Sequence, residues 1–166
     1  FFAKLSNYGR TKNCCLLEAS DYLAENALSF GTARPALYLT GTGPDFTIKA
    51  MSNTGKRMLR YLASDEKRFG FCETIKSTDN SIIGKIKQDS KTVDEQKRLQ
   101  STNQTDVMRA VAFAFALASK PFRVTCGLLG AISYDFIDQF EKLPQSKNDP
   151  LGNPDYELYF ADNIFL

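Results

Sequence analysis

Residues 127–144 constrain the fold of this chain more than any other stretch, because their pattern changes halfway along. They begin small and apolar, and glycines there let a neighbouring backbone approach closely, which is typical of a buried strand. The second half places apolar side chains at i, i+1 and i+4, which predicts one buried stripe on a short helix: Phe136, Ile137 and Phe140. Ser133 or Asp135 is suited to cap that helix, and Pro144 ends it. We therefore predict a buried glycine-rich strand that leads into a short amphipathic helix.

The rest of the chain mixes strand and helix patterns. Short apolar or alternating runs predict strands at 14–18, 36–40, 46–51, 122–132, 156–161 and 164–166. Helical spacing predicts helices at 21–28, at 56–62 with a cap at 53–55, and from Thr105 or Asp106 to Ser119. Residues 76–91 are polar and weakly patterned, which indicates a long, flexible surface loop. These elements predict an α+β fold in which antiparallel strands pack with helices on the outside.

Two elements have a clear inward face. On the helix that follows residue 105, the core-facing positions are Val107, Ala110, Val111, Ala114, Phe115 and Ala118. On the strand at 156–161, Tyr156, Leu158 and Phe160 share one face, while Glu157 and Tyr159 share the other. That second face is half polar, as expected if it lines a cleft or a surface between domains.

Composition limits the possible functions. A chain of 166 residues that is 43% hydrophobic and 24% charged can form a single domain, residues 1–166, with a sizeable core. Its net charge of +2 is too balanced to predict a nucleic acid or a membrane as a partner. The absence of histidine removes the commonest general base and argues against a Ser-His-Asp or Cys-His site. None of the four cysteines forms a C-x-x-C pair, so we predict reduced thiols in a cytoplasmic protein.

Several motifs carry a resemblance to a known family. Ser133-Tyr134-Asp135, then Phe140-Glu141-x-Leu143-Pro144, and later Pro154-Asp155 resemble the signatures of the anthranilate synthase large subunit, component I. Leu16-Leu17-Glu18-Ala19 stands where that family has Leu-Leu-Glu-Ser. The similarity runs in the same order over nearly the whole chain. The chain opens without a methionine and stops within a predicted strand, so we expect the N-terminal domain of that fold, as a fragment of a longer enzyme.

The resemblance implies an activity for the complete enzyme. Members of the family convert chorismate to anthranilate and pyruvate in tryptophan biosynthesis. They use ammonia from a glutamine amidotransferase partner, component II, and Mg²⁺ that holds the substrate carboxylate. The chorismate and metal residues belong to the C-terminal part of the family's sequence, so no catalytic residue is assigned to this chain.

The resemblance also implies an effector site for L-tryptophan. In the family, the Leu-Leu-Glu-Ser strand lines this regulatory pocket, so the candidate residues here are Leu17, Glu18, Ala19 and Ser20. An ammonium group needs a carboxylate or carbonyl, which Glu18 supplies, and an indole needs an apolar wall, which Leu17 supplies. Tyr134 is added because the Ser-Tyr-Asp turn lies beside this strand in the family; the alternative is a buried tyrosine bonded to a backbone carbonyl.

One departure from the family pattern keeps two other functions open. Ala19 replaces the family serine, and Ser20 one place later points to the opposite face of a strand. A scaffold domain that binds no effector is therefore an alternative. A second alternative is component I of aminodeoxychorismate synthase, which shares the general plan of the family.

Overall fold

The computed structural model describes residues 2–18, 29–87, 101–119, 126–141 and 151–165. Within these ranges the chain forms antiparallel sheets with a few helices, which confirms the predicted α+β class. The specific fold of the family's N-terminal domain, and the organisation of residues 1–166 as one domain, stay predictions. In the described ranges, no helix has the length and apolar character that a membrane span requires.

The described elements follow one another along the chain. The strands are β1 (Cys15–Leu17), β2 (Phe30–Thr32), β3 (Leu37–Thr42), β4 (Asp45–Ala50), β5 (Cys72–Ser77), β6 (Ser81–Ile86), β7 (Gly127–Ile132) and β8 (Tyr156–Ala161). The α-helices are α1 (Phe2–Leu5), α2 (Asn53–Ala63) and α3 (Gln104–Ala114). Two 3₁₀-helices span Glu66–Phe69 and Tyr134–Gln139.

The main sheet contains six of the described strands in the order β5-β6-β4-β3-β8-β7, and each neighbouring pair is antiparallel. Its inner face is apolar because alternate residues of each strand point to the same side. The buried residues of this face include Leu37, Leu39, Ile48, Ile82, Leu158 and Phe160. They form one hydrophobic cluster with Leu59 and Leu62 of α2 and Val107 and Val111 of α3. The predicted inward face of β8 is thus confirmed.

The two longer helices begin at residues other than those predicted. Ser52, and not the segment 53–55, caps α2, since its Oγ accepts the Gly55 N–H at 3.1 Å. Asn103 caps α3 through a reciprocal pair with Asp106, and the helix ends at Ala114, short of the predicted Ser119. Both caps use a short oxygen-bearing side chain immediately before the first helical residue, where amides lack an intrahelical partner.

The loop predicted at 76–91 is wrong where the structure describes it. Strands β5 and β6 form a hairpin there, joined by a turn at 78–80 in which Thr78 N–H donates to the Ser81 carbonyl at 2.8 Å. The strand pattern of β6 was hidden because Gly84 occupies an inward position. A Cβ at Gly84 would lie 2.6 Å from Cζ of Phe46, so the aromatic ring takes the space of the missing side chain.

The glycine-rich strand is an edge strand and not a buried one. Strand β7 pairs with β8 on one side, and the residues Gly130–Ile132 are exposed. The helix that follows is a 3₁₀-helix, capped by Ser133, whose Oγ accepts the Asp135 N–H at 3.1 Å. Of the predicted strand at 164–166, the described part makes a single bridge between Phe165 and Gly31. The helix predicted at 21–28 lies outside the described residues.

Candidate functional site

Strand β1 holds the first predicted effector residues. It pairs antiparallel with β2, which puts Leu17 opposite Phe30. On the other side of β2, Gly31 and Phe165 exchange two backbone hydrogen bonds of 3.1 Å. Glu18 follows β1 and is exposed, and its carboxylate has no hydrogen bond or ion pair with the part of the chain that the structure describes. Ala19 and Ser20 lie outside the described residues.

A cleft of about 580 Å³ opens between α1, the loop that follows α1, and β1. This volume is within the range of small-molecule sites. Leu16 and Glu18 line the cleft, whereas Leu17 does not and is 39% exposed. The reason is the alternation of side chains along an extended chain, which places residues i and i+2 on one face. Leu16 therefore gives this cleft an apolar wall, and the role predicted for Leu17 in ligand binding stays a prediction.

The remaining walls of this α1 cleft are aromatic or small: Phe2, Ala3, Ser6, Tyr8, Gly9, Ser29 and Phe165. The ring centroids of Phe2 and Phe165 are 5.5 Å apart. Tyr8 is 73% exposed and has a φ of +54°, a left-handed conformation that costs a bulky residue about 1–3 kcal/mol. Its amide donates to the Ala3 carbonyl at 2.6 Å, which holds the turn in place. Sequence reasoning missed Tyr8, since nothing in residues 3–13 predicts a positive φ there.

Tyr134 lies at the opposite end of the sheet from the α1 cleft. It is 83% exposed, so the alternative of a buried tyrosine is wrong. The preceding Ser133 N–H donates to the Asp155 carbonyl at 2.8 Å, just before β8 begins, whereas Phe165 follows the end of β8. At about 3.4 Å per residue, β8 alone separates the two places by about 17 Å. The structure therefore does not bring Tyr134 to Glu18, and a ligand contact of Tyr134 stays a prediction.

The Ser-Tyr-Asp turn instead belongs to a corner of buried polar residues. Asp155, only 8% exposed, accepts the Gly43 N–H at 2.8 Å and a hydrogen bond from Gln139 Nε2 at 3.3 Å. Gln104 is fully buried and donates to the carbonyls of Gly43 (2.8 Å) and Asp45 (3.1 Å). The Tyr156 hydroxyl donates to Gln104 Oε1 at 3.0 Å, so each of these side chains has a partner. Asp155 and Gln139 thus hold Gly43 of the β3–β4 turn beside the start of β8, and Ser133 bonds to the backbone of Asp155.

The carboxyl of Asp155 should make stability depend on pH. Burial, reinforced by the charges of Asp135 and Asp138, raises its pKa above 3.8, although the bonds from Gly43 and Gln139 oppose this rise. The folded chain thus holds this proton more tightly than the unfolded chain, and its contribution to stability falls as the pH rises through that window. We expect the stability of Asp155→Asn relative to the parent to increase as the pH rises above about 4. Urea unfolding at several pH values measures this difference. If the free energies of unfolding of the two proteins changed with pH in parallel, the expectation would be contradicted.

The outer face of β8 is half polar, as the sequence predicted. The Tyr38 hydroxyl donates to Glu157, and the Tyr159 hydroxyl donates to Asn13 Oδ1 at 3.4 Å. The rings of Tyr38 and Tyr159 have centroids 5.3 Å apart. Burial, followed by the hydrogen bond to Glu157 and its charge, raises the pKa of Tyr38 to about 12. Both phenols are thus neutral hydrogen-bonding groups at physiological pH and not proton carriers.

The described ranges offer no metal site of protein donors. They contain no group of three or more cysteine, aspartate or glutamate side chains placed to hold an ion. The four cysteines are free thiols, and burial raises the pKa of Cys14, Cys15 and Cys72. The α1 cleft, with its exposed Glu18 carboxylate, is the candidate functional site.

Comparison with known proteins gives two informative relatives, while no family model matches the chain. The anthranilate synthase component 1 of Haemophilus influenzae is 26% identical over 157 residues, which cover 92% of this chain and 29% of that protein. The anthranilate synthase of Azospirillum brasilense is 26% identical over 148 residues, which cover 89% of this chain and 19% of that protein. The resemblance seen in the sequence motifs is confirmed, and the chain spans less than a third of the length of these relatives.

Proposed function

We propose that this chain is the N-terminal part of an anthranilate synthase component I. The complete enzyme would convert chorismate and ammonia to anthranilate and pyruvate in tryptophan biosynthesis. The observation that carries the proposal is the similarity to two anthranilate synthases over about nine-tenths of this chain. The ordered motifs, from the Leu-Leu-Glu strand to Pro154-Asp155, are part of this similarity and agree with the proposal.

The partner and the metal of this proposal lie beyond the described residues. The ammonia would come from a glutamine amidotransferase, component II, in the cytoplasm. A Mg²⁺ ion would hold the carboxylate of chorismate, and the described donor set does not fit such an ion, since no three acidic or thiol side chains converge. We therefore propose that the metal and the chorismate residues lie outside the described residues.

The role of this part would be regulation by L-tryptophan at the α1 cleft. Glu18 presents to the cleft a carboxylate that has no partner among the described residues, and Phe2, Leu16 and Phe165 give the cleft an apolar wall. An amino acid with an aromatic side chain suits this combination of one charge and flat apolar surface. Leu17 faces away from the cleft, so we do not include it among the ligand contacts.

An assay of the reaction product tests the enzymatic part. The protein from the complete reading frame, supplied with chorismate, Mg²⁺ and ammonium, should form anthranilate, which is detected by its fluorescence. Omission of chorismate is the control for background signal. Formation of aminodeoxychorismate would favour the sister enzyme, and turnover to neither product would contradict both assignments.

A titration with L-tryptophan tests the regulatory part. We expect calorimetry to detect binding to the same full-length protein, and tryptophan to lower its anthranilate output. Binding is expected because the α1 cleft offers a counter-charge for the ammonium group and an apolar surface for the indole. A protein that makes anthranilate but gives no heat, and whose activity is unchanged at millimolar tryptophan, would instead favour the scaffold alternative, which Ala19 permits.

A further inference from the structure

Helix α2 carries three positive charges and no negative one. Its charged residues are Lys56, Arg57 and Arg60, and side chains three or four positions apart lie on one face of a helix. Arg57 and Arg60 are exposed, and Lys56 is half-buried. None of the three forms an ion pair with an acid of the described ranges. These cations form a basic stripe, the α2 stripe, on the side of the helix that faces away from the sheet.

This charge pattern works against the stability of the helix. Like charges four positions apart, as at Lys56 and Arg60, destabilise a helix, and a cation near the N-terminus opposes the helix dipole. Helix α3 has the opposite arrangement, with Asp106 in its first turn and an ion pair of 3.1 Å between Asp106 and Arg109. The folding of α2 therefore does not explain its charges, whereas a partner that supplies negative charge does.

A fixed aromatic side chain borders the α2 stripe. Tyr61 follows Arg57 by four positions and is 51% exposed. Its ring centroid lies 4.8 Å from the guanidinium carbon of Arg68 and 5.7 Å from the ring centroid of Phe115. Arg68 is held in turn by a hydrogen bond of 3.0 Å to the Tyr61 carbonyl. Tyrosine and arginine are enriched where protein–protein interfaces concentrate their binding energy.

The α2 stripe suits a protein surface better than other ligands that carry negative charge. A small anion needs donors that converge on one point, whereas these side chains extend over more than one turn of a convex helix. A nucleic acid needs a larger excess of positive charge than the net +2 of this chain. An acidic protein surface matches both the cations and the exposed tyrosine.

We propose that the α2 stripe, together with Tyr61, docks an acidic face of the glutamine amidotransferase that supplies ammonia. This inference rests on the proposed function, which requires the enzyme to hold that partner, and adds the surface and the charge by which it is held. Because the contact joins opposite charges at an exposed site, the complex should weaken as the salt concentration rises.

The test compares the two sources of ammonia, using the protein from the complete reading frame. Arg57→Glu combined with Arg60→Glu should weaken the complex with the amidotransferase about tenfold or more in calorimetry, because attraction becomes repulsion. Anthranilate formation from glutamine should fall by a similar factor when the amidotransferase is present below its dissociation constant. Formation from ammonium needs no partner and should keep the parental rate, since glutamate suits an exposed helix position.

Two further variants control for net charge and for folding. Arg10→Glu combined with Lys76→Glu is the matched control, because both side chains are exposed and lie outside α2. Equal weakening by the two charge-reversed pairs would show that general charge attracts the partner, and would overturn the inference. Arg57→Gln combined with Arg60→Gln covers the case in which charge reversal prevents folding. This neutral pair should also weaken the complex, and parental affinity would overturn the inference.

Other outcomes separate this inference from the proposed function. A complex that the α2 variants leave unchanged overturns the inference, while anthranilate formation still supports the proposed function. If folded α2 variants lose the ammonium-dependent rate as much as the glutamine-dependent rate, the stripe does not act through the amidotransferase and the inference fails. A parent protein that forms no anthranilate from ammonium overturns the proposed function, and the inference with it.

Discussion

Replacing Gly55 with alanine is expected to lower the free energy of unfolding by about 3 kcal/mol, a large effect for one methyl group. A Cβ at this position would lie 2.0 Å from the Ala36 carbonyl oxygen and 3.3 Å from Cα of Ala50. Both neighbours are backbone atoms, one just before β3 and one at the end of β4, so neither can rotate away. Helix α2 must then shift away from the sheet and open the contacts of Leu59 and Leu62.

The helical preference of alanine offsets only about 1 kcal/mol of this cost. Gly70→Ala is the matched control, because its Cβ would meet one atom, the Lys67 carbonyl oxygen, at 3.3 Å, and its φ is −60°. We expect that control to change stability by less than about 1 kcal/mol. Equal effects of the two substitutions in urea unfolding would show that the close approach of α2 to β3 does not constrain residue 55.

Replacing Gln104 with leucine is the second prediction with a large effect, about 3 kcal/mol. Leucine is similar in volume but removes the acceptor of the buried Tyr156 hydroxyl and a donor to the Asp45 carbonyl. Gly43 keeps the bond from Gln139, so its carbonyl is not orphaned. The expected loss of stability exceeds the mean net contribution of one hydrogen bond, because a buried polar group is left without its partner.

A double-mutant cycle checks this explanation. Tyr156→Phe alone should cost about 1–2 kcal/mol, since it leaves Gln104 Oε1 without its donor. In the Gln104→Leu background, the same change removes an orphaned hydroxyl and should be close to neutral. Additive losses in the double variant would mean that the two side chains do not act as a pair.

Local periodicity predicted the parts of the fold that depend on one face of one element. The inward residues of β8 and the buried Val107 and Val111 of α3 follow from spacings of two and about four residues. Strand β6 was missed because the inward position at Gly84 is filled by Phe46 from another strand. Packing between residues that are distant in sequence does not appear in the hydrophobic pattern of either segment.

The sequence predicted only part of the candidate site, because local alternation shows which residues share a face but not which distant residues they meet. Alternation of side chains along an extended strand puts Leu16 and Glu18 on one face, whereas the assignment of Leu17 came from a family motif, and Leu17 does not line the cleft. The motif also linked Tyr134 with this strand, yet its turn is fixed at the far end of β8. The burial of Gln104 could not be predicted, because its partners Gly43 and Tyr156 are distant in sequence. An isolated glutamine is usually a surface residue.

The two aromatic walls of the α1 cleft come from residues that are far apart in the sequence. Phe165 lies in the cleft beside its backbone bridge to Gly31, and its ring contacts the ring of Phe2. The six-stranded sheet uses neither residue, so loss of the segment after Asn163 would dismantle the cleft and leave the core standing. A bound ligand should therefore stabilise the bridge between Phe165 and Gly31, and the amide hydrogens of these two residues should exchange more slowly when the cleft is occupied.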